Sequence, residues 1–334
     1  MKKMKNQMQN QNQIQTLQNQ KNSHAKTILR GIAGVLLVVL SISFLSFALI
    51  ELAPGDPADI MLRASGVLPS PEAVEALRQD MGLDQPFLTR YFTWLGGILH
   101  GDFGTAYSTG RPVLQTLLPA LGRTVTLTAV AFGLTVLLSL PLGLLCARRR
   151  DSWLDRLLRF FTYVCGATPN FVLGLGLLYG LAVKLKWLPA IGNGSARGYI
   201  LPVTVLTLGT AAWMIRQVRT AALETRGAGY LTALRARGIR PARMERYVLK
   251  SALLPILASL GTCLGSMLAG AVVIENIFSL SGLGRLVLSA IQARDFPLLQ
   301  GFILWIAVIF YLINFSCDRL NRVFDPRLER RWLG

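Results

Sequence analysis

A basic stretch from Tyr230 to Pro255 holds the residue types and spacing that say most about what this chain does. It reads YLTALRARGIRPARMERYVLKSALLP and lies between two strongly apolar runs. Its first turns favour a helix with Leu231 and Leu234 on one stripe, and Gly238 suits the left-handed conformation that ends a helix. Pro241 prevents continuation of that helix, and a second helix is predicted from about Ala242. The sequence therefore predicts two helices joined by a turn.

The chemistry predicted for this segment is that of a docking surface rather than of catalysis. A glycine at 238 would set the angle between the two helices, because a residue with a side chain resists the left-handed turn. A basic loop held on anionic lipid is the alternative that composition leaves open. The side chains expected to make contact, the first three apolar and the last two basic, are Tyr230, Leu231, Leu234, Arg235 and Arg237.

Motifs for nucleotide or metal chemistry are absent from the sequence. It contains no GxxxxGK[ST] phosphate-binding loop and no HExxH pair, and its two histidines, His24 and His100, are far apart. The DFG at residues 102–104 stands without any other part of the kinase signature. The four cysteines include no CxxC pair, so neither a zinc site nor a disulfide framework is predicted. We therefore expect no catalytic residue, no bound cofactor and no metal ligand.

The composition favours a membrane protein. Of the 334 residues, 52% are apolar and 16% are charged, whereas soluble domains carry roughly a quarter charged residues. The formal net charge of +18 fits either a nucleic-acid-binding surface or cytoplasmic loops that obey the positive-inside rule. The positions of the charges distinguish these two readings.

Six apolar runs predict six membrane-spanning helices. Each is close to the roughly 20 residues that cross a hydrocarbon core, where the backbone must satisfy its own hydrogen bonds. The acids Glu51, Glu275 and Asp318 fall near span ends, so the mid-span ionisable groups typical of proton- or ion-coupled carriers are missing. The predicted fold class is all-α, a polytopic membrane protein. The runs lie at about residues 28–50, 125–147, 160–183, 200–218, 253–274 and 301–321.

Lysine and arginine are concentrated in alternate segments between these runs. Nine lie within residues 216–250, whereas two lie within residues 275–300. The positive-inside rule then places segment 219–252 and both chain ends in the cytoplasm of a bacterial cell, with the chain in the cell membrane. The charge is explained by topology, so membrane lipid is an expected partner and nucleic acid is not.

The two ends of the chain are predicted to be tails. Residues 1–27 are rich in Gln and Asn and lack acids, a composition that cannot bury a core, so we expect a disordered cytoplasmic extension. Residues 322–334 are expected to form a second cytoplasmic tail. The first apolar run is too long for a cleaved signal peptide and is interpreted as a retained anchor.

The external segment 51–119 is long enough for a small substructure. Ser70 as a cap, Pro71 at the first helical position and Gly82 at the end predict one short helix. A second helix is predicted by apolar residues on one face. Both helices are expected to dock on the membrane domain, and docking of an external partner is the alternative. That face consists of Phe87, Tyr91, Trp94 and Ile98.

A short turn at Ser281, Gly282 and Gly284 follows the fifth apolar run. Two glycines around Leu283 predict a tight reversal with positive backbone dihedrals, which glycine adopts at little cost. An ordinary loop is the alternative.

Taken together, the motifs of the chain resemble those of ATP-binding-cassette importer permeases. YLTALRARGI followed by LLP resembles the cytoplasmic EAA-type loop of these proteins, and residues from about 30 to 330 look like the branch that imports dipeptides, oligopeptides or nickel. Single motifs are weak, but their order along the chain is specific. The supporting stretches are APGDPADIML, LRQDMGLDQPFLTRYFTWLGGILHGDFGTAY, ATPNF, VIENIFSLSGLGRLVLSAIQARDFPLLQG and DRLNRVFDPRL.

This resemblance implies a fold, partners and a mechanism. The fold would be that of a type I ABC importer permease with six transmembrane helices, spanning residues 28–321. The partners would be a second homologous permease subunit, two cytoplasmic ATPases docked through the EAA-type loop, and an external solute-binding protein. Hydrolysis of ATP would take place on the ATPase chains. The turn at Ser281, Gly282 and Gly284 would form part of the external gate.

The resemblance has departures and leaves alternatives open. Leu234 stands where the family often has a small residue, Gly229 where it often has an acid, and Ser281–Gly282 where it often has Pro-Gly. Nickel, free or chelated, and peptides are equally compatible cargoes. With so few thiols and imidazoles the pathway is not a metal site of its own, so nickel would travel as a chelate or be chosen by the binding protein. A secondary carrier or channel working without ATPase subunits is the alternative function.

Overall fold

Helices make up most of the described chain, because apolar residues dominate it and turn-forming residues come in short clusters. The computed structural model describes residues 31, 33–52, 55–64, 66, 68–192 and 195–324, with the backbone alone at 318 and 320–324. The predicted tail 1–27 and most of the predicted tail 322–334 lie outside these residues. The helices are α1 (Ala33–Glu51), α2 (Pro57–Ala64), α3 (Pro71–Asp80), α4 (Phe87–Leu99), α5 (Val113–Arg148), α6 (Trp153–Ala167), α7 (Asn170–Leu177, continued by a π-helical segment Leu178–Lys184), α8 (Ala196–Gly227), α9 (Gly229–Ala236), α10 (Pro241–Ile277), α11 (Leu283–Ala293) and α12 (Phe296–Phe324).

Five of these helices, α1, α5, α8, α10 and α12, are long and apolar enough to cross a membrane. A sixth crossing is formed if α6 and α7 with its π-helical segment count as one broken span. The predicted all-α membrane fold is confirmed, and no named strand occurs in the described ranges, where Thr105 and Pro112 form an isolated bridge.

The third predicted span is wrong as a single continuous helix. The chain bends by 100° between α6 and α7, at Thr168, whose backbone is extended with φ −86° and ψ 122°. The physical reason is Pro169, because a proline forces the preceding residue out of the helical region and offers no N–H to continue the hydrogen-bond ladder.

Four of the spanning helices are longer than the predicted spans, and the excess is largest in three of them. α5, α8 and α10 have 36, 32 and 37 residues, which at about 1.5 Å per residue is roughly 50 Å, against about 30 Å for a hydrocarbon core. Hydropathy marks only the apolar part of such a helix, whereas backbone hydrogen bonding continues past it. The extra turns include residues that pack with α9 at one end of the bundle and with α11 at the other.

The core of the bundle is the packing of α5 on α8, with α10 beside them. Gly143 permits the close approach, because a Cβ at this position would lie 2.6 Å from the Cβ of Val218. Thr135 and Thr210 are joined across the interface by their hydroxyls at 3.0 Å. A buried apolar cluster surrounds this contact and includes Leu127, Leu206, Met267, Ile274 and Phe278.

Different helices meet at the two ends of the bundle. At one end, which we call the α9 end, the last turns of α5 and α8 meet α9 and the start of α10 around a small apolar cluster. At the other end, which we call the α11 end, the starts of α5 and α12 meet α11. The helices α2 to α4 lie at the α11 end, where Arg78 and Trp94 line a cavity together with Phe296.

The predicted substructure between α1 and α5 is confirmed in its local chemistry. Ser70 caps α3 by accepting a hydrogen bond from the backbone N–H of Ala73, Pro71 stands at the first helical position, and Gly82 after the helix has φ +65°. The helix α4 docks on α1 as predicted, because the Tyr91 hydroxyl lies 2.9 Å from that of Ser43. Phe44 and Phe47 of α1 pack around the buried Tyr91 ring edge to face, at centroid distances of 5.3 and 5.6 Å.

Candidate functional site

The turn that ends α9 is built as the sequence predicts. Gly238 has φ +72°, its N–H donates to the carbonyl of Arg235 at 2.9 Å, and the N–H of Ile239 donates to that of Leu234 at 3.3 Å. These bonds occupy carbonyls that the end of a helix otherwise leaves unpaired. No atom lies within 4 Å of the place where a Cβ at 238 would stand. The glycine is therefore required by its backbone conformation and not by space.

One face of α9 packs against the chain itself. Leu231 is fully buried among Ala147, Ala222, Met244 and Val248, and Leu234 is partly buried on the same cluster. Leu231, for which the sequence predicts apolar contact to a partner, thus packs inside the chain, 0% exposed. Its stripe on α9 follows helical spacing, and that spacing serves internal packing.

The opposite face of α9 is open. Tyr230 is 47% exposed, and its hydroxyl lies 2.6 Å from that of Ser251 on α10. Arg235 and Arg237 are exposed, as is Arg240 just beyond the turn. The open face of α9 thus presents one aromatic ring beside several guanidinium groups.

Two ion pairs fix the elements around α9, and sequence reasoning missed both. Arg219 of α8 donates to both carboxylate oxygens of Asp155 on α6 at 2.8 and 2.9 Å, and the Asp155 side chain is fully buried. Arg226 at the end of α8 donates to Glu245 of α10 at 2.6 Å. The largely buried pair of Arg219 and Asp155 is costly to break, because the remaining charge would stay without a partner. In the sequence each of the two acids directly follows an apolar residue, and this position was the signal that could have indicated the ion pairs.

A buried carboxylate organises the α11 end. Glu275, near the end of α10, is 1% exposed and accepts hydrogen bonds from the Thr124 hydroxyl of α5 at 2.5 Å and from the Gly284 N–H at 2.7 Å. The Thr124 hydroxyl also accepts from the Leu283 N–H at 2.8 Å. The first N–H groups of α11 are thus capped by side chains of α5 and α10, because the N-cap residue Gly282 has no side chain to do so.

The predicted positive dihedrals at Gly282 and Gly284 are wrong; the positive φ in the turn after α10 is at Ser279, with +53°. Gly282 is extended with φ −90° and ψ −173°, and Gly284 lies inside α11. Glycine is needed there for space, because a Cβ at 282 would collide with the Glu275 carboxylate and one at 284 with the backbone of Val272. Ser281 contributes its carbonyl, which accepts a hydrogen bond from Arg123 at 3.0 Å.

A cavity of about 790 Å³ opens at the α11 end, between α1, the α3–α4 turn and the start of α12. Arg90 pairs with Glu51 and Arg78 pairs with Asp56 in its wall. Burial, reinforced by the carboxylate of Asp295, raises the pKa of the lining Tyr107 to about 12. The phenol is therefore neutral at physiological pH, and these two pairs hold four charged groups of the wall, two acidic and two basic.

Two family models match the chain and together cover most of it. The "Binding-protein-dependent transport system inner membrane component" model matches residues 139–330. The model described as "Binding-prot-dependent transport system membrane comp, N-term" matches residues 25–128. The chain belongs to the binding-protein-dependent transport system inner membrane component family. It is therefore the permease subunit of an ABC importer, a multi-pass inner membrane protein.

The similarity to named relatives covers nearly the whole length of the permease. A protein of Brucella abortus (strain 2308) with the name of a peptide transport system permease is 34% identical over 311 residues, which cover 90% of this chain and 98% of the relative. The nickel import system permease protein NikB of Staphylococcus aureus (strain USA300) is 32% identical over 314 residues, which cover 92% and 93%. These similarities confirm the branch of the family that the motifs indicated.

Solved structures show the same fold at lower identity. A chain of the inward-facing MetNI methionine ABC transporter in its native crystal form is 21% identical, with a TM-score of 0.53, and the match covers 64% of the permease and 97% of that chain. The selenomethionine-soaked form gives a TM-score of 0.54. The likeness places the permease in the fold of ABC importer permeases, as predicted.

Proposed function

We propose that the permease works with a second, homologous permease subunit, two cytoplasmic ATPases and an external solute-binding protein. In this assembly ATP is hydrolysed on the ATPase chains, and α9 is the helix that enters the docking cleft of one of them. The observation that supports this most is the build of α9, a short helix held at the bundle end with one face buried and the other basic. Tyr230, Leu234, Arg235 and Arg237 make the contact, while Leu231 anchors the helix from inside and Gly238 sets its angle.

The orientation of the chain follows from the same proposal. The α9 end faces the cytoplasm, with the coupling loop 219–252, and both chain ends lie on that side as tails 1–27 and 322–334. The α11 end, with segment 51–119, faces outward toward the binding protein. The excess of Lys and Arg in the segments assigned to the cytoplasm supports this orientation.

The turn between α10 and α11 is the external gate in this scheme. Ser281, Gly282 and Gly284 form it, and the buried network around Glu275 and Thr124 supports the role. Three elements meet in that network, α5, α10 and α11, so a movement of α10 is transmitted to the start of α11. Residues 28–321 form the membrane domain that holds both the gate and the docking helix.

The cargo is a short peptide or nickel bound to a small chelator. The names of the two relatives support these two classes equally, since one is named for peptide transport and the other for nickel import. A chelate is favoured over the bare ion because the chain has only two histidines and four cysteines to offer as ligands.

The decisive experiment is reconstitution of the full complex in proteoliposomes. ATP inside the vesicles should drive uptake of either a radiolabelled dipeptide or chelated ⁶³Ni only when the loaded binding protein is outside. A complex without the ATPases and a complex with a hydrolysis-deficient ATPase serve as controls. Equal uptake in those controls would show a carrier or channel that works without ATPases.

A further inference from the structure

The ion pair between Arg226 and Glu245 joins the two ends of a chain segment that contains α9 and the turns on either side of it. An Arg226 amino group donates to a Glu245 carboxylate oxygen at 2.6 Å across 19 positions of the chain. The Arg226 side chain is 18% exposed and that of Glu245 40%. The pair stands between the last turn of α8 and the first turns of α10, so it joins the helices that precede and follow α9.

The backbone at both ends of α9 does not by itself hold its direction. Ala228 between α8 and α9 is extended, with φ −67° and ψ 135°, and is flanked by Gly227 and Gly229. Gly238 follows α9, and for all three glycines a Cβ would meet no atom within 4 Å. These are unpacked hinge positions, because glycine allows large backbone changes at little steric cost. The orientation of α9 must therefore come from contacts that bridge the hinges.

Those bridging contacts are few. The side chain of Leu231 packs into the apolar cluster between α9 and the bundle, with Leu234 partly buried beside it. The Tyr230 hydroxyl contacts that of Ser251. The Arg226–Glu245 pair is the ionic link across the two hinges in the described residues. The apolar contacts at Leu231 and Leu234 fix the distance of α9 from the bundle but are non-directional, whereas a link between α8 and α10 restrains the spacing of both hinges.

We infer that Arg226 and Glu245 are a positioning pair that clamps the docking helix, so that a push on α9 moves α8 and α10 together. This inference rests on the proposed docking role of α9. Without the clamp, α9 would swing at its glycine hinges, and the force from an ATPase would be lost in that movement. ATP would then be hydrolysed without transport.

Arg226 and Glu245 differ in exposure, so the two single substitutions are expected to differ in the size of their effects. The Nε of Arg226 is buried without a hydrogen-bond partner in the described chain. Removal of Glu245 therefore leaves a largely buried guanidinium unpaired, whereas removal of Arg226 leaves a carboxylate that water can reach. Glu245→Gln should consequently loosen α9 more than Arg226→Gln, and Arg226→Lys should retain most of the clamp.

The first experiment measures hydrogen exchange of the full-length permease in lipid nanodiscs. In Glu245→Gln the amides of residues 229–237 should exchange about threefold faster, the size expected for loss of a partly exposed ion pair. Arg246→Gln, an exposed neighbour on α10, is the matched control and should exchange as the unmodified protein does. Unchanged exchange in Glu245→Gln overturns the clamp, and this readout does not require the proposed function to be correct.

The second experiment measures ATP hydrolysed per molecule of labelled dipeptide or chelated ⁶³Ni taken up by proteoliposomes. The ratio should rise at least threefold in Glu245→Gln, and both the ratio and the exchange should return toward the original values in the charge-swapped Arg226→Glu/Glu245→Arg protein. If exchange rises but the ratio does not, the pair has no part in coupling. If the swap is no better than Glu245→Gln and Arg226→Lys also fails, the pair does not act through its charge. Absence of transport in the unmodified complex would count against the proposed function alone.

Discussion

Gly238 and Gly284 are glycines for different physical reasons, and the consequences of replacing them differ accordingly. At 238 the backbone has φ +72° in open space, so a side chain is opposed only by the left-handed conformation. At 284 the backbone is helical, but the backbone of Val272 occupies the place of a Cβ. Sequence shows glycine at both positions, and only the contacts distinguish conformation from space.

Gly238→Val should leave the permease inserted and paired yet abolish uptake, because a β-branched residue resists the turn that sets the direction of α9. Gly238→Asn should retain much of the activity, since asparagine adopts this conformation more readily. The measurement is ATPase stimulation by loaded binding protein in reconstituted vesicles. Arg240→Ala and Arg243→Ala, both exposed, should change little. Full ATPase stimulation and full uptake in Gly238→Val would contradict the docking role and indicate that α9 is a lipid-facing basic segment.

Gly284→Ala should reduce uptake strongly, because the added methyl group must displace α11 from α10 at a cost of about 1–3 kcal/mol. Gly282→Val should act in the same direction by moving the Glu275 carboxylate off its hydrogen bonds. Gly122→Ala is the matched control, since a Cβ there meets no atom within 4 Å. Uptake per inserted molecule is the readout. Normal uptake in both gate variants would rule out the gate.

At the scale of elements, α6 is attached to the bundle through its first turn. Asp155 joins α6 to α8 through Arg219 and also accepts a hydrogen bond from the Asp151 N–H at 3.0 Å, which caps the helix. Ser152 completes the cap by accepting from the Asp155 N–H at 3.3 Å. Near the other end of α6, Arg216 of α8 donates to the carbonyl of Thr162 at 2.6 Å, so both attachments fix the direction of α6 before the bend at Pro169.

Asp155→Asn should destabilise the permease by up to about 3 kcal/mol, because Arg219 then lies largely buried without its charged partner. Asp151→Asn should have little effect, since that side chain is 66% exposed. Thermal unfolding of the purified complex in detergent gives the comparison. The Asp155→Asn/Arg219→Gln pair should be more stable than the sum of the single changes, and strict additivity would show that the two residues do not interact.

At the scale of the whole molecule, the bundle separates its two tasks by end. The basic docking helix α9 lies at one end, and the turn with its buried Glu275 network lies at the other. The helix α10 connects them without a break from Pro241 to Ile277. A continuous helix transmits a displacement along its axis, so α10 is the element through which the two ends communicate.

This separation requires a fixed orientation in the membrane. A reporter fused after Lys250 should behave as cytoplasmic, and one fused near Asp80 should behave as external, because Lys and Arg are concentrated at the α9 end. Alkaline phosphatase and green fluorescent protein fusions give opposite signals for the two sides. An external signal at Lys250 would overturn both the six-span arrangement and the docking role of α9.

The sequence by itself determined the membrane class, the helical fold, the α9 turn and the family. These are local or summed properties, because hydropathy needs only composition, a glycine–proline turn needs only its own residues, and motif order needs no contacts. The cap at Ser70 and the left-handed Gly238 were predictable for that reason.

Only the tertiary structure decided which side chains remain available to act. Leu231 and Tyr230 are neighbours on one amphipathic helix, and packing against Met244 buries the first and leaves the second exposed. The role of Glu275 as a cap for α11 and the pairing of Arg226 with Glu245 also join residues distant in the chain. Such pairings depend on the approach of whole helices, and that approach is determined by the packing of the bundle rather than by the residues adjacent in sequence.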